Sequence, residues 1–205
     1  MRLSQRERRE RTSERVLDAA LELLLERGYA NLRTGDIAER AGVSRGAQTH
    51  YFPTKQELAI AAAARAMARA IEEANAAADA VRDAKAEAVL EAFVAHAEHF
   101  YFESSYPAMI DILMASRIDP AIAEGFRALI KRTRGELERI WHDALIRAGF
   151  SGEEVRVALT TTHAMLRGLA ISGWWEDADW DRGPAVREWR ALLARLLPGE
   201  TARER

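Results

Sequence analysis

Polar and aromatic side chains crowd one short segment of the chain, directly after a turn that contains glycine. The turn is Gly-Val-Ser at 42–44, and the side chains that follow it are Arg45, Gln48, Thr49, His50 and Tyr51. The fork of an arginine matches guanine O6 and N7, and a glutamine amide matches adenine. We therefore predict that Arg45 and Gln48 read base edges, while the small Gly46 and Ala47 let the backbone approach a groove.

Two short helices must position these side chains. The pattern predicts helices over 35–41 and 45–51, with Thr34 and Ser44 as N-caps and Gly42 as the stop between them. Pro53 ends the second helix, because the residue before a proline is pushed out of the α region. Such a pair forms a helix–turn–helix, whose second helix enters the major groove of DNA.

Other side chains around the two helices are predicted to hold phosphates. Thr49, Tyr51, Thr54 and Lys55 have suitable groups, and Gly35 lets the first helix come close to a phosphate. The complete predicted DNA-binding set is Arg33, Thr34, Gly35, Ser44, Arg45, Gly46, Ala47, Gln48, Thr49, His50, Tyr51, Thr54 and Lys55.

The first fifteen residues are strongly basic although the whole chain has a net charge of −2. They contain three glutamates and the six arginines Arg2, Arg6, Arg8, Arg9, Arg11 and Arg15. A basic arm on a weakly acidic body is typical of a protein with one face for an anionic polymer. The alternative is a solvated tail. The arm has almost no apolar residue to bury, so we expect it not to fold on its own.

Residues 32–58, LRTGDIAERAGVSRGAQTHYFPTKQEL, resemble the N-terminal DNA-binding domain of the TetR family of transcriptional regulators. The shared elements are Thr34, Ile37-Ala38, the Ala-Gly-Val-Ser run at 41–44, Gly46, Tyr51-Phe52-Pro53, Lys55 and Leu58. Two departures prevent transfer of a base preference. Gln48-Thr49-His50 stand where the family often has aromatic residues, and Gly35 stands where many members have a bulkier residue.

The pattern is helical along the rest of the chain, so the predicted fold is all-α with about nine helices. We predict a first helix over 13–27 that is capped by Thr12 or Ser13, and a long alanine-rich helix that opens with the capping box Thr54-Lys55-Gln56-Glu57. The later helices are predicted over 84–102, 107–117, 120–148, 152–175 and 184–197. The predicted domains are 1–55, with the helix–turn–helix and the basic arm, and 56–205, for regulation and dimerisation.

The resemblance implies that the second domain binds a small-molecule effector in a largely apolar pocket. The predicted lining is Phe93, His96, Phe100, Tyr106, Met109, Leu113, Phe126, Trp141, Met165 and Trp174. Each of these side chains could equally be packed core. His96 and His99 lie one turn apart, as in a metal pair, but no third ligand stands nearby at a motif spacing. We therefore expect no metal and no cofactor.

The resemblance also implies that the last two helices pair with their copies as a four-helix bundle in a homodimer. The predicted interface residues are Leu166, Leu169, Gly173, Trp189, Leu193 and Leu196. Trp174 and Trp175 could belong either to this interface or to the pocket.

Composition bears on the remaining classes of protein. The chain has no cysteine, no apolar stretch of membrane-spanning length and no apolar leader, so we expect a cytoplasmic protein without disulfides. An enzyme that uses His96, His99 or His163 is a weaker alternative, because no nucleophile–base pair, phosphate loop or dinucleotide motif is present. A non-specific architectural DNA-binding protein is another weaker alternative. Such a protein should be basic over its whole surface, whereas this chain has a net charge of −2.

The sequence thus predicts a TetR-like, non-enzymatic regulator of transcription. We expect a homodimeric repressor that a small molecule releases from a palindromic double-stranded operator. The alternatives are an activator and a regulator without a small-molecule ligand.

Overall fold

A computed structural model describes residues 4–103, 105–177 and 179–197. Within these residues the chain forms nine α-helices and no strand, which confirms the all-α prediction. The helices are α1 (Gln5–Asn31), α2 (Thr34–Arg40), α3 (Arg45–Tyr51), α4 (Lys55–Ala80), α5 (Ala86–Phe102), α6 (Tyr106–Ser116), α7 (Pro120–Arg147), α8 (Gly152–Ser172) and α9 (Gly183–Leu196).

Side-chain caps start four of the nine described helices at the predicted places. The Ser44 hydroxyl accepts the Ala47 N–H at 3.1 Å and so starts α3. Thr54 and Glu57 form the reciprocal capping box that opens α4, and Ser151 and Glu154 form another for α8. The Asp119 carboxylate accepts the Ala121 N–H before α7. These caps satisfy N–H groups that the first helical turn leaves without partners.

The prediction for the start of α1 is wrong. The helix begins at Gln5 rather than Ser13, because Ser4 and Glu7 form a capping box and Arg6 pairs with Glu10 one turn later. Thr12, which we predicted as a cap, donates its hydroxyl to the Arg8 carbonyl inside the helix. The basic segment is therefore helical from residue 5, although it has little apolar surface to bury. Arg2 lies outside the described residues.

Two further boundaries differ from the prediction. Thr34 is the first residue of α2, and the preceding Arg33 occupies the N-cap position without a side-chain hydrogen bond. The helix α8 ends at Ser172, before Trp174 and Trp175, whose N–H groups bond back to the last turn. The predicted stop at Pro198-Gly199 lies outside the described residues.

The helices fall into two compact units, to both of which α4 and α7 contribute. The first unit comprises residues 4–69 and 105–133, and thus includes α1, α2, α3 and α6. Its core contains fully buried aliphatic and aromatic side chains from five helices: Val16, Leu24, Ile37, Leu58, Ile112, Ile122 and Phe126. Burial of each large apolar side chain stabilises the unit by about 1.5–3 kcal/mol.

The second unit comprises residues 70–103 and 134–197, with α5, α8 and α9. Its largest fully buried side chains are Phe93, Trp141, Leu145, Leu166 and Leu193. Arg190 of α9 pairs with Glu91 and Glu98 of α5, which ties the two helices together. The predicted domain boundary between residues 55 and 56 is a functional division, and it stays a prediction.

None of the helices in the described parts of the chain has the length and apolar character that crossing a membrane requires.

Candidate nucleic-acid interface

The helix α3 turns one row of residues to solvent and another row into the first unit. Arg45, Gly46, Thr49 and His50 are exposed, whereas Ala47 and Tyr51 are partly covered. In a seven-residue helix, positions i, i+1, i+4 and i+5 lie on one face. The exposed row is therefore a continuous surface with a guanidinium, a hydroxyl and an imidazole, and the absence of a side chain at Gly46 leaves it open.

Gln48 does not belong to this surface, and the prediction that it reads adenine is corrected. Its side chain is only 2% exposed, and its amide donates to the Phe52 carbonyl at 2.8 Å. The short helix must bury one residue per turn to pack on its neighbours, and position 48 meets that requirement. Gln48 thus caps the C-terminal end of α3, while Thr49 and His50 stay exposed to solvent.

The helix α2 is held to α1 by apolar packing and by ion pairs. Ile37 and Ala38 are fully buried on its inner face. On its outer face, Arg40 forms a two-pronged pair with Glu26, with N–O distances of 2.8 and 2.9 Å. Asp36 accepts from Arg27 at 2.8 Å. Because exposed ion pairs contribute little stability, the burial fixes α2 and the pairs align it.

Arg15 was predicted to be part of the free basic arm, but its side chain reaches the turn between α2 and α3. The guanidinium donates to the carbonyls of Ala41 and Gly42, the two residues that follow the last residue of α2. Gly42 has a φ of 62°, in the left-handed region, and a Cβ at this residue would lie 2.8 Å from the Arg15 Nη2. The turn therefore requires glycine for its backbone, whereas the flexible end of the Arg15 side chain could shift away from a Cβ.

We expect Gly42→Ala to lower the free energy of unfolding by about 1–2 kcal/mol, since alanine is strained at this backbone conformation. Gly46→Ala is the matched control: it lies inside α3, and a Cβ there meets no heavy atom within 4 Å. In a helix interior, alanine should stabilise by about 0.5–1 kcal/mol relative to glycine. Chemical denaturation of the two variants measures both effects, and a Gly42→Ala protein as stable as the wild type would contradict this account of the turn.

Gly35 lies beside the side chain of Arg45. A Cβ at Gly35 would approach the Arg45 Nη2 to 2.9 Å, so the missing side chain leaves room for the guanidinium against the first turn of α2. From the sequence, Gly35 is predicted only to let α2 approach a phosphate. In the structure it also borders the place of the arginine that heads the exposed row.

Several members of the predicted DNA-binding set have structural partners in the free protein. Ser44 and Thr54 are N-caps, as described above. The Lys55 ammonium donates to the Ala30 carbonyl at 3.2 Å and lies 4.4 Å from the centre of the Tyr29 ring. Burial lowers the pKa of Lys55, against the opposing charges of Asp111 and Asp119. The ammonium has three N–H donors, so these contacts leave donors for a phosphate. The role of Lys55 in holding a phosphate stays a prediction.

The residues predicted to line the effector pocket belong to different units, and each set is described within its own unit. Tyr106, Met109 and Phe126 are buried in the first unit, and Leu113 is 38% exposed. In the second unit, Phe93 and Trp141 are fully buried, Phe100 and Met165 are partly covered, and Trp174 is 53% exposed. Leu113 and Trp174 are therefore open to solvent in the single chain, and their place in a pocket stays a prediction.

An aromatic and imidazole cluster forms in the second unit around His96 and His163. The ring centres of Phe93 and Trp141 are 5.7 Å apart, and His163 is also 5.7 Å from Phe93. Trp141 donates its indole N–H to His96 Nδ1 at 3.2 Å. Tyr101 and His163, which the pocket prediction omitted, lie 3.3 Å apart through the hydroxyl oxygen and Nδ1.

Burial keeps both imidazoles of this cluster neutral near pH 7. It lowers the pKa of His163 to about 4, and it also lowers the pKa of His96, against a carbonyl of Ala70 that raises it. A neutral imidazole offers one hydrogen-bond donor and one acceptor. The cluster therefore combines packed aromatic rings with two neutral imidazoles and a hydroxyl, and the Arg167 guanidinium lies 3.5 Å from that hydroxyl of Tyr101.

Two of the predicted dimer residues are buried in their own subunit, and their assignment is corrected. Leu166 of α8 is fully buried and Leu193 of α9 is 1% exposed, so neither can meet a second chain. Trp189 is partly covered and donates its indole N–H to the Thr162 hydroxyl at 3.0 Å. Leu196 is 65% exposed, and Leu192, one helical turn earlier, is 40% exposed. The place of Leu196 in an interface stays a prediction.

Comparison with known proteins identifies the class to which this architecture belongs. The family described as bacterial regulatory proteins, tetR family, matches residues 16–67. The chain is 32% identical over 194 residues to the HTH-type transcriptional regulator CymR of Pseudomonas putida, and the match covers 95% of this chain and 94% of the relative. The chain therefore belongs to the TetR family, and it is a helix–turn–helix, DNA-binding regulator of transcription.

Solved structures agree with this fold. A regulator assigned to the TetR family, from Mesorhizobium loti MAFF303099, matches 93% of this chain and 98% of its own with a TM-score of 0.74 at 13% identity. The regulator FadR of Bacillus subtilis, solved with stearoyl-CoA, matches 88% and 96% with a TM-score of 0.64 at 18% identity. At these identities the likeness concerns the fold alone.

Proposed function

We propose that this regulator is a repressor that binds its operator through the exposed row of α3 and leaves it when a small molecule binds. The observation that carries the proposal is the row itself, in which Arg45, Thr49 and His50 point away from the unit that holds them. Arg45 has the geometry for guanine, and the hydroxyl and imidazole can bond base edges or phosphates. An activator is the runner-up, and it shares the same DNA contacts.

The test of this function begins with DNA selection. Purified protein is mixed with fragments of its own genome, and the bound fragments are sequenced. We expect enrichment of one or a few fragments that contain two related half-sites. Transcription from such a fragment should fall when the protein is added, if it is a repressor. Unselective retention of all fragments would contradict sequence-specific binding, and increased transcription would support the activator.

Dimerisation is the second part of the proposal. The outer face of α8 has the small residues Thr160, Ala164 and Gly168, all exposed, and α9 adds the exposed Leu192 and Leu196. Small residues let helices approach closely, and the leucines supply apolar area that one chain leaves in water. We infer that a second copy covers this face in a twofold arrangement, so that two reading helices meet two half-sites.

The effector is proposed to bind in the second unit at the cluster around His96 and His163. Its apolar rings and neutral imidazoles suit a largely apolar molecule with one or two uncharged polar groups. The Bacillus subtilis neighbour was solved in complex with stearoyl-CoA, so a protein of this fold can hold a ligand. An effector can release DNA only if it binds the DNA-free conformation more tightly. We propose that the protein performs this exchange in the cytoplasm.

The basic segment is proposed to add affinity without selectivity. Arg6, Arg9 and Arg11 lie in the exposed first turns of α1 and can follow phosphates. We expect deletion of residues 1–10 to weaken binding to operator and random DNA alike. The plot of log K against log salt concentration should become shallower by about 0.9 for each lost phosphate contact. A salt titration of full-length and truncated protein on both DNAs measures this, and unchanged slope and affinity would show that the segment is only a solvated end of α1.

A further inference from the structure

The helix α1 is broken close to its C-terminal end. Gly28 has a φ of 73° and a ψ of 167°, which lie outside the helical region. Because of this break, the Tyr29 N–H does not continue the ladder of bonds to carbonyls four residues earlier. Tyr29 is 7% exposed, so water has little access to the residue whose N–H needs an acceptor.

A carboxylate from α6 supplies that acceptor. The Tyr29 N–H donates to Oδ2 of Asp111, a partly covered residue in the middle of α6. The same oxygen would lie 3.0 Å from a Cβ at Gly28. Glycine is therefore required at the break both by its left-handed φ and by the close approach of Asp111. The break in α1 and the carboxylate on α6 fit one another.

The first residue of α4, Lys55, also contacts the chain after the break. Lys55 lies over the Tyr29 ring and donates to the Ala30 carbonyl, as described above, and Asp111 contributes to the negative charge around its ammonium. In the same unit, Gln56 donates to Asp119 at 3.1 Å. Tyr29, the residue after the break, is thus held from two helices. Asp111 of α6 accepts its N–H, and Lys55 of α4 contacts its ring and the carbonyl of the next residue, Ala30.

This peptide leads directly into the helix–turn–helix. The Leu32 N–H bonds to the Tyr29 carbonyl at 3.2 Å, Leu32 is 3% exposed, and α2 begins two residues later at Thr34. With so short a connection, the direction of the chain at Tyr29 determines where α2 starts. Because α3 packs on α2, the placement of the exposed row on α3 depends on the same joint.

We propose that Asp111 is a positioning residue for DNA binding, which sets the α1–α2 joint through the Tyr29 N–H and does not belong to the exposed row of α3. The inference rests on the proposed DNA-binding function of that row. The proposal predicts whether DNA affinity rises or falls when the Asp111 carboxylate is removed. Removal of an acidic side chain that merely repels DNA should strengthen binding, whereas loss of a positioning contact should weaken it.

Three variants test this role: Asp111→Ala, Asp111→Asn and, as control, Glu124→Ala. Glu124 is an exposed acid in the same unit, on α7, so its removal changes the charge equally. We expect Asp111→Ala to weaken binding to a selected operator fragment about tenfold, the equivalent of one lost buried hydrogen bond. Asp111→Asn should restore most of the affinity, because an amide oxygen can accept the Tyr29 N–H. Glu124→Ala should bind no more weakly than the wild type.

Hydrogen exchange of the Tyr29 amide, measured without DNA, gives an independent readout. It should become faster in Asp111→Ala and stay slow in Asp111→Asn. Wild-type affinity in Asp111→Ala would overturn the proposal, and so would Asp111→Asn binding as weakly as the alanine variant. If Asp111→Ala fails to fold, the asparagine variant and its Tyr29 exchange decide the question. A wild type that selects no DNA would instead overturn the proposed function, and the exchange measurement would still judge the contact.

Discussion

The double substitution Leu192→Asp and Leu196→Asp is expected to give a folded monomer that has lost operator binding. Both side chains are exposed in one chain, so two charges there do not enter its core. In a dimer they would be buried without partners, which is costly. Two linked reading helices gain about 10²–10⁴-fold in affinity over one, and the monomer should lose that factor.

Light scattering and operator binding measure the two consequences. Ala191→Asp is the control for an added carboxylate, because it places one negative charge at an exposed position of α9, about 100° around the helix from Leu192. It should remain dimeric. Leu193→Asp, by contrast, places a charge at a fully buried position and should unfold the second unit. A wild type that is monomeric would contradict the proposed dimer, and a double variant that remains dimeric would place the interface elsewhere.

The second large effect is expected at Arg45. Arg45→Ala should weaken binding to the operator by about 1–3 kcal/mol and relax the preference at one base pair in each half-site. Binding to random DNA should change little, because a base contact adds no general affinity. The paired measurement on operator and random DNA distinguishes this outcome from loss of a phosphate contact, which would weaken both alike.

Gln48→Met is the comparison that tests the corrected assignment. Methionine keeps most of the volume of glutamine but removes the amide that donates to the Phe52 carbonyl. The variant should lose some stability, since a buried carbonyl loses its partner, and it should keep the base preference of the wild type. A changed preference at one base pair would mean that Gln48 leaves the core on DNA and reads a base after all.

The helices and their caps could be predicted because their signals are local. Ser44, Thr54, Asp119 and Ser151 each act on N–H groups within three residues of themselves, so the sequence alone identifies them. The start of α1 was missed for a related reason. Its capping box, Ser4 with Glu7, and its ion pair, Arg6 with Glu10, are also local, but the segment has almost no apolar residue and so lacks the periodicity that predicts a helix.

The inward turn of Gln48 and the contact of Arg15 with the α2–α3 turn could not be predicted with the same certainty. Each depends on how a seven-residue helix is rotated against α1, and apolar periodicity over two turns determines that rotation poorly. A signal for Gln48 did exist: it lies four residues before Phe52, whose carbonyl its amide can reach. Asp111 carries no local signal, since its partner Tyr29 is 82 residues away in sequence.

The corrected dimer residues illustrate the same limit. In α9, Leu193 and Leu196 are both apolar, and the sequence assigned both to the interface. Only the packing of α9 on α5 shows that Leu193 faces inward while Leu196 stays exposed. An apolar residue on an amphipathic helix can serve its own core or a partner, and composition does not separate the two.

The central claim is that the exposed row of α3 reads a particular DNA sequence. The most direct test is to bind wild-type protein to a labelled operator fragment and to add about a hundredfold excess of random duplex, since specific sites typically bind about 10³–10⁷ times more tightly than non-specific ones. We predict that the operator complex persists under this competition and that the unlabelled operator displaces it at a small excess. Displacement by random DNA as effectively as by operator would contradict the account.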